Sequence, residues 1–150
     1  MKKTLTVLIL LFLSGCGYSS IYSGNVNFNF SINEINLEGD QYINTIIKKK
    51  LIRYKTNETE KKYKVKINSR FDKKIIAKNK SGNATDLNLV VNVIAKITNI
   101  KKDMTNSIYL SESFDIVKRQ NSFEQLEYEK IIKKDLTKTI LNKLIIELNK

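Results

Sequence analysis

The chain of 150 residues has no histidine, no tryptophan and no proline, and a single cysteine. Each absence removes a class of chemistry. Without His there is no Ser-His-Asp or Cys-His relay. Without His, and with one Cys, no clustered His/Cys zinc site can form. One Cys also excludes an internal disulfide, so no covalent staple holds the fold. The apolar fraction of 41% is too high for a disordered chain. The length suits one domain.

Positive charge is in excess, with 27 Lys and Arg against 15 Asp and Glu and a formal net charge of +12. Such a surface attracts polyanions: nucleic acid, acidic lipid headgroups or phosphorylated glycans. Nearly all of it is Lys, the exceptions being Arg53, Arg70 and Arg119. Bidentate base and phosphate contacts favour Arg, so a nucleic-acid partner is not expected. Lys, Ile and Asn together are also what an AT-rich genome favours, which is a second source for the excess.

The first residues read as an address. Lys2 and Lys3 precede an apolar run from Leu5 to Leu13. As a helix that run spans about 14 Å, half a bilayer core, which suits a signal peptide rather than a membrane span. It ends in Leu13-Ser14-Gly15-Cys16. An aliphatic residue, two small residues and a Cys resemble the bacterial lipoprotein box. That resemblance implies N-acyl and S-diacylglycerol groups on Cys16 and no other cofactor. Several acyl chains hold a protein stably where one is marginal. Gly17, in place of the Asp that retains such proteins at the inner membrane, implies the periplasmic face of the outer membrane. The expected organisation is a signal peptide over 1–15, a lipidated linker over 16–24 and a domain over 25–150.

The remainder alternates between two periods. Val26, Phe28, Phe30 and Ile32 alternate with polar residues, and the pattern continues to Leu37 after a phase change near Asn33. This predicts a strand with a bulge. Gly39-Asp40 breaks it, and Asp40 is placed to cap a helix reaching about Tyr54, with Ile43, Ile47, Leu51 and Tyr54 on one face. Strands are predicted from Tyr63 to Phe71, Leu87 to Ile97 and within Ile108 to Lys118, with turns at 80–83 and 103–107. Asn121 or Ser122 caps a last helix reaching Leu148, and Ser122 with Gln125 fits a capping box. Two amphipathic helices and a sheet with one apolar face give an α+β, two-layer sandwich. The expected element order is β-α-β-β-β-α, with a four-stranded, mostly antiparallel sheet.

The run Cys16-Gly17-Tyr18-Ser19-Ser20-Ile21-Tyr22 resembles the start of the LPS-assembly lipoproteins of the LptE type. The element order, Gly39-Asp40-Gln41 and Tyr63-Lys64-Val65 also look alike. Ser20 departs from the proline often found in that linker. The resemblance implies a non-catalytic protein that plugs the outer-membrane β-barrel of the LPS translocon and binds lipopolysaccharide in transit. Ammonium groups can compete with divalent cations for lipopolysaccharide phosphates.

Lys73, Lys74, Lys78 and Lys80, with Arg70 beside them, form the densest basic cluster, around the turn between the second and third strands. They are the candidate LPS-binding residues, the alternative being a solvated hairpin end whose lysines prevent edge aggregation. Lys48-Lys49-Lys50 and Lys101-Lys102 rank second. Tyr18, Tyr22 and Tyr109 are candidates for a barrel contact. Asn57-Glu58-Thr59 and Asn83-Ala84-Thr85 match the glycosylation pattern by chance. No catalytic or metal residue is expected. Two competing readings remain at this point: an envelope tether or scaffold for another barrel, and a two-carboxylate glycosidase, against which the scattered acidic residues argue.

Overall fold

The computed structural model describes residues 29–55 and 59–150. Cys16, Tyr18, Tyr22, the start of the first predicted strand and most of the Asn57 sequon lie outside the described residues. The described chain runs β1 (Phe30–Gly39), α1 (Gln41–Leu51), a 3-10 turn (Ile52–Tyr54), β2 (Lys61–Lys78), β3 (Ala84–Asn99), β4 (Met104–Val117) and α2 (Ser122–Asn149). This is an α+β fold with a long C-terminal helix.

The sheet order is β1-β2-β3-β4. β2, β3 and β4 form an antiparallel meander, while β1 runs parallel to β2 because α1 carries the chain back between them. The phase change near Asn33 is a bulge: Ile32 pairs with Tyr63, and the next paired residue, Glu34, meets Lys64. The bulge keeps Phe30 and Ile32 on the same face as Ile35 and Leu37, all of them in or against the core.

Both helices cover that face. Ile43, Ile47 and Leu51 of α1, and Ile140, Leu141, Leu144, Ile145 and Leu148 of α2, meet Val65, Ile67, Val91, Val93 and Ala95 in one core. Each fully buried aliphatic side chain contributes about 2 kcal/mol. Phe30 stacks on Tyr54 at 5.1 Å between ring centroids. A second cluster of Leu87, Leu89 and Ile116 lies under the N-terminal half of α2, with Tyr128 and Ile132 against it.

The later strands run longer than the sequence expectation, and of the two expected α2 caps Asn121 is the one used. β2 runs on to Lys78, seven residues past Phe71, because β3 pairs with it along that length. β4 begins at Met104, inside the expected 103–107 turn, because Asn99 Oδ1 accepts from the Lys101 and Lys102 N–H groups and tightens the reversal. Asp103 completes that turn at φ +50°. The α2 cap is Asn121, whose Oδ1 accepts from Phe123 N (2.9 Å) and Glu124 N (3.3 Å). Gln125 is not part of a capping box: its side chain serves Arg119 and Glu129 instead.

Candidate functional site

One junction fixes where β1 stops. Gly39 has φ +94°, and a Cβ there would stand 1.9 Å from the Ser69 carbonyl oxygen, so only glycine fits. The next residue, Asp40, donates its N–H to that same carbonyl at 3.0 Å. Its Oδ1 then accepts from Tyr42 N and Ile43 N, each at 3.0 Å, opening α1. Its Oδ2 meets Lys133 of α2 at 2.6 Å. Lys133 also lies over the Phe71 ring, 4.7 Å from its centroid. Burial pushes the Asp40 carboxyl up. The Lys133 hydrogen bond, the Ile43 N–H, the Lys133 charge and the Tyr42 N–H outweigh it, so the carboxyl sits below its ordinary value.

Because β1 ends there, the open face of the sheet is divided electrically. Alongside β1, the cations of β2 have acidic neighbours: Glu34 lies 3.6 Å from Lys64, and Glu38 lies 2.7 Å from Lys66. The Asn36 amide, with Lys64, holds Glu34 below the ordinary carboxylate range, and the Lys66 hydrogen bond does the same for Glu38. Past Ser69 there is no β1. In the distal half of β2, Asp72 accepts from Arg70 Nε at 2.8 Å and from Asn92 Nδ2 at 2.9 Å, and Asp86 of β3 stands opposite Ala77.

The structure separates the five candidate residues by what holds them. Lys73 lies on the helix-facing side, where its Nζ donates to Glu129 Oε1 at 2.7 Å. Glu129 is buried, and Gln125 Nε2 donates to it at 2.7 Å. Gln125 Oε1 accepts from Arg119 N at 2.7 Å. Lys73 thus anchors the hairpin to α2 through a polar chain. Arg70 has its partner in Asp72 but remains 74% exposed. Lys74, Lys78 and Lys80 are exposed, and among the described residues none has an ion-pair or hydrogen-bond partner.

The turn that presents them is built from its own residues. Asn79 Oδ1 accepts from Ser81 N and Asn83 N at 3.0 Å each, and Asn79 N donates to the Asn83 carbonyl at 2.9 Å. Gly82 takes φ +81°, with open space around it. Register shifts between Ile75 and Ala77 and between Ala77 and Lys78 twist the strand end. Ile75 and Ile76 are about half exposed there, at 55% and 52%. The hairpin end therefore joins unpaired ammonium groups to exposed aliphatic surface, which matches a phosphorylated amphiphile. The two isoleucines were not singled out from sequence, although a doublet breaking strict alternation was the available signal.

The second-rank lysines have local roles. Lys48, Lys49 and Lys50 fill the last turn of α1, where cations suit the carbonyl end of a helix. Lys101 borders a shallow, open depression with Thr59, Glu60 and Lys62, at the opposite end of the sheet from the hairpin. Tyr109 lies on the open face, 65% exposed, and its hydroxyl donates to Asn92 Oδ1 at 2.7 Å. Among the described residues no helix is long and apolar enough to cross a membrane.

No family model and no curated protein matches the chain. Solved structures do. The crystal structure of the rare lipoprotein B from Shewanella oneidensis matches with a TM-score of 0.58 at 9% identity, covering 77% of this chain and 92% of that one. The solution structure of lipoprotein B from Nitrosomonas europaea gives 0.56 at 16% identity, covering 84% and 87%. The minor lipoprotein from Acinetobacter baumannii gives 0.51 at 13% identity, covering 80% and 94%. At such identities the shared property is the fold: this chain has the α+β fold of these bacterial lipoproteins.

Proposed function

We propose that the chain is an outer-membrane lipoprotein, acylated at Cys16 and facing the periplasm, that plugs the β-barrel of the LPS translocon and binds lipopolysaccharide in transit. Its role is one of assembly and binding, not catalysis. The observation that carries the reading is the hairpin end: Lys74, Lys78 and Lys80 unpaired beside exposed Ile75 and Ile76, with Arg70 nearby. Phosphates meet the ammonium groups and acyl chains meet the isoleucines. The Leu13-Ser14-Gly15-Cys16 run supports the anchor. The fold, shared with solved lipoproteins, supports the class.

The deciding experiment is mild-detergent purification of the full-length acylated protein from outer membranes, with identification of whatever co-elutes in stoichiometric amount. One large β-barrel with associated lipopolysaccharide is the expected result. Recovery with peptidoglycan, or with a different barrel and no lipopolysaccharide, would replace this function with that of a tether or scaffold. Cys16→Ala should release the protein from the membrane when no barrel is present.

A further inference from the structure

Past Ser69 the helix-facing side of β2 loses half of its cover. α1 opens at Asp40, beside the Ser69 carbonyl, and carries the chain back toward the start of the sheet. Beyond that point α2 is the helix that reaches β2. Phe71, Lys73 and Ile75 follow there at alternate positions, a floor of about 14 Å. Phe71 packs against the core, whereas Ile75 is more than half exposed although its β3 partner, Leu87, is buried. Lys73 is the one cation of the three. Its ammonium is tied to buried Glu129 of α2, which leaves an apolar stem along the floor.

That ion pair also sets α2 against β2. α2 begins near the hairpin end of the sheet, since Lys118, just before it, donates its N–H to the Thr85 carbonyl. From Lys73 to Ile75 the strand advances toward the hairpin. From Glu129 to Leu126 the helix advances the same way, by about one turn and on the same flank. Lys133, one turn in the other direction, holds that flank against Asp40 and Phe71. Leu126 therefore stands beside Ile75, and it is 63% exposed. The result is an apolar ledge between α2 and the uncovered end of β2. It leads to the hairpin, where Lys74, Lys78 and Lys80 form no ion pair among the described residues.

We infer that this ledge seats one acyl chain of the phosphorylated amphiphile bound at the hairpin, with Ile75 as its floor and Leu126 as its wall. The inference rests on the lipopolysaccharide reading and adds α2 to the site. Charge complementarity selects a lipid as the occupant. A narrow apolar strip leads to three unpaired ammonium groups, the order met in a phosphorylated amphiphile from tail to headgroup. The β2 edge beside the ledge is poorly suited to an added protein strand, because two register shifts between Ile75 and Lys78 and the lysines around them oppose pairing.

The test uses the full-length acylated protein in nanodiscs of neutral phospholipid. It is titrated with labelled lipopolysaccharide and with the same lipopolysaccharide stripped of its acyl chains by alkali. The intact form should bind at least about tenfold more tightly. Leu126→Gln keeps helix propensity and Ile75→Thr keeps strand propensity, and both side chains are more than half exposed, so the circular dichroism spectrum should be unchanged. Together they should weaken binding of the intact form about five- to tenfold and leave the stripped form unaffected. Ile131→Gln is the control. Ile131 is also about half exposed, but it lies two positions from both Glu129 and Lys133 and so is turned away from the ledge; neither affinity should change. If the wild-type protein binds both forms equally, or if the double variant binds intact lipopolysaccharide as the wild type does, the ledge is overturned and the hairpin reading stands. Loss of the stripped form in the double variant also overturns it, since the two residues would then serve the headgroup. If the wild-type protein binds neither form, the ledge and the lipopolysaccharide reading fall together.

Discussion

Replacing Asp40 tests whether the junction between β1, α1 and α2 is held by charge. Asp40→Asn keeps the shape and an equally good helix cap, so it isolates the ion pair with Lys133. The two side chains are only 22% and 15% exposed, and their 2.6 Å contact is a charge-assisted hydrogen bond. Such bonds contribute about 1.5–3 kcal/mol, and the Phe71 and Tyr42 rings retain part of the attraction for the ammonium group. The expected loss is about 2 kcal/mol. Asp40→Ala also removes the cap and should lose about 1 kcal/mol more. Lys133→Met keeps the stem packed and leaves Asp40 capping α1. In urea unfolding, the cycle of Asp40→Asn and Lys133→Met should give a coupling of about 1.5 kcal/mol. The pH dependence has a definite sign. The folded-state carboxyl lies below the ordinary 3.8, so its stabilisation is complete above that value. It is lost as pH falls through the lower, folded-state pKa. The Asp40→Asn variant should lack that part of the acid transition. A coupling below about 0.5 kcal/mol, the range of exposed surface pairs, would refute the reasoning.

Gly39→Ala should destabilise by more than about 3 kcal/mol in the same assay, since both the positive φ and the Ser69 carbonyl oppose a Cβ. Lys73→Gln should cost about 1–3 kcal/mol, because buried Glu129 keeps only Gln125 as a partner. Lys74→Gln, Lys78→Gln and Lys80→Gln combined should leave the unfolding midpoint unchanged while weakening lipopolysaccharide binding, measured by titration against labelled lipopolysaccharide. Unchanged affinity would remove the hairpin from the site. Leu144→Ala should cost about 3 kcal/mol, read as a lower unfolding midpoint, for the cavity it leaves in the main core.

The candidate site was only partly legible in the sequence. A cluster of basic residues at 70–80 is a local fact, visible in one dimension. Which of its members are free is not local. Lys73 and Lys74 are neighbours in sequence, yet one is held by Glu129, 56 residues away, and the other stands on the open face. Lys133 sits among similar lysines on α2, and only its position against Asp40, 93 residues earlier, gives it a structural role.

The sequence by itself determined the elements. Period-two alternation set the strands and period-four spacing set the helices, because side-chain direction follows from backbone geometry alone. Asp40 and the bulge near Asn33 were readable for the same reason: caps and phase breaks are local. The tertiary structure decided how far each strand found a partner. It set β1 parallel to β2 and stopped it at Ser69. It tied Lys73 to Glu129 and left Lys74, Lys78 and Lys80 without an ion-pair partner among the described residues. Those outcomes depend on contacts between distant segments, where pairing and charge are settled by which surfaces meet rather than by which residues follow one another.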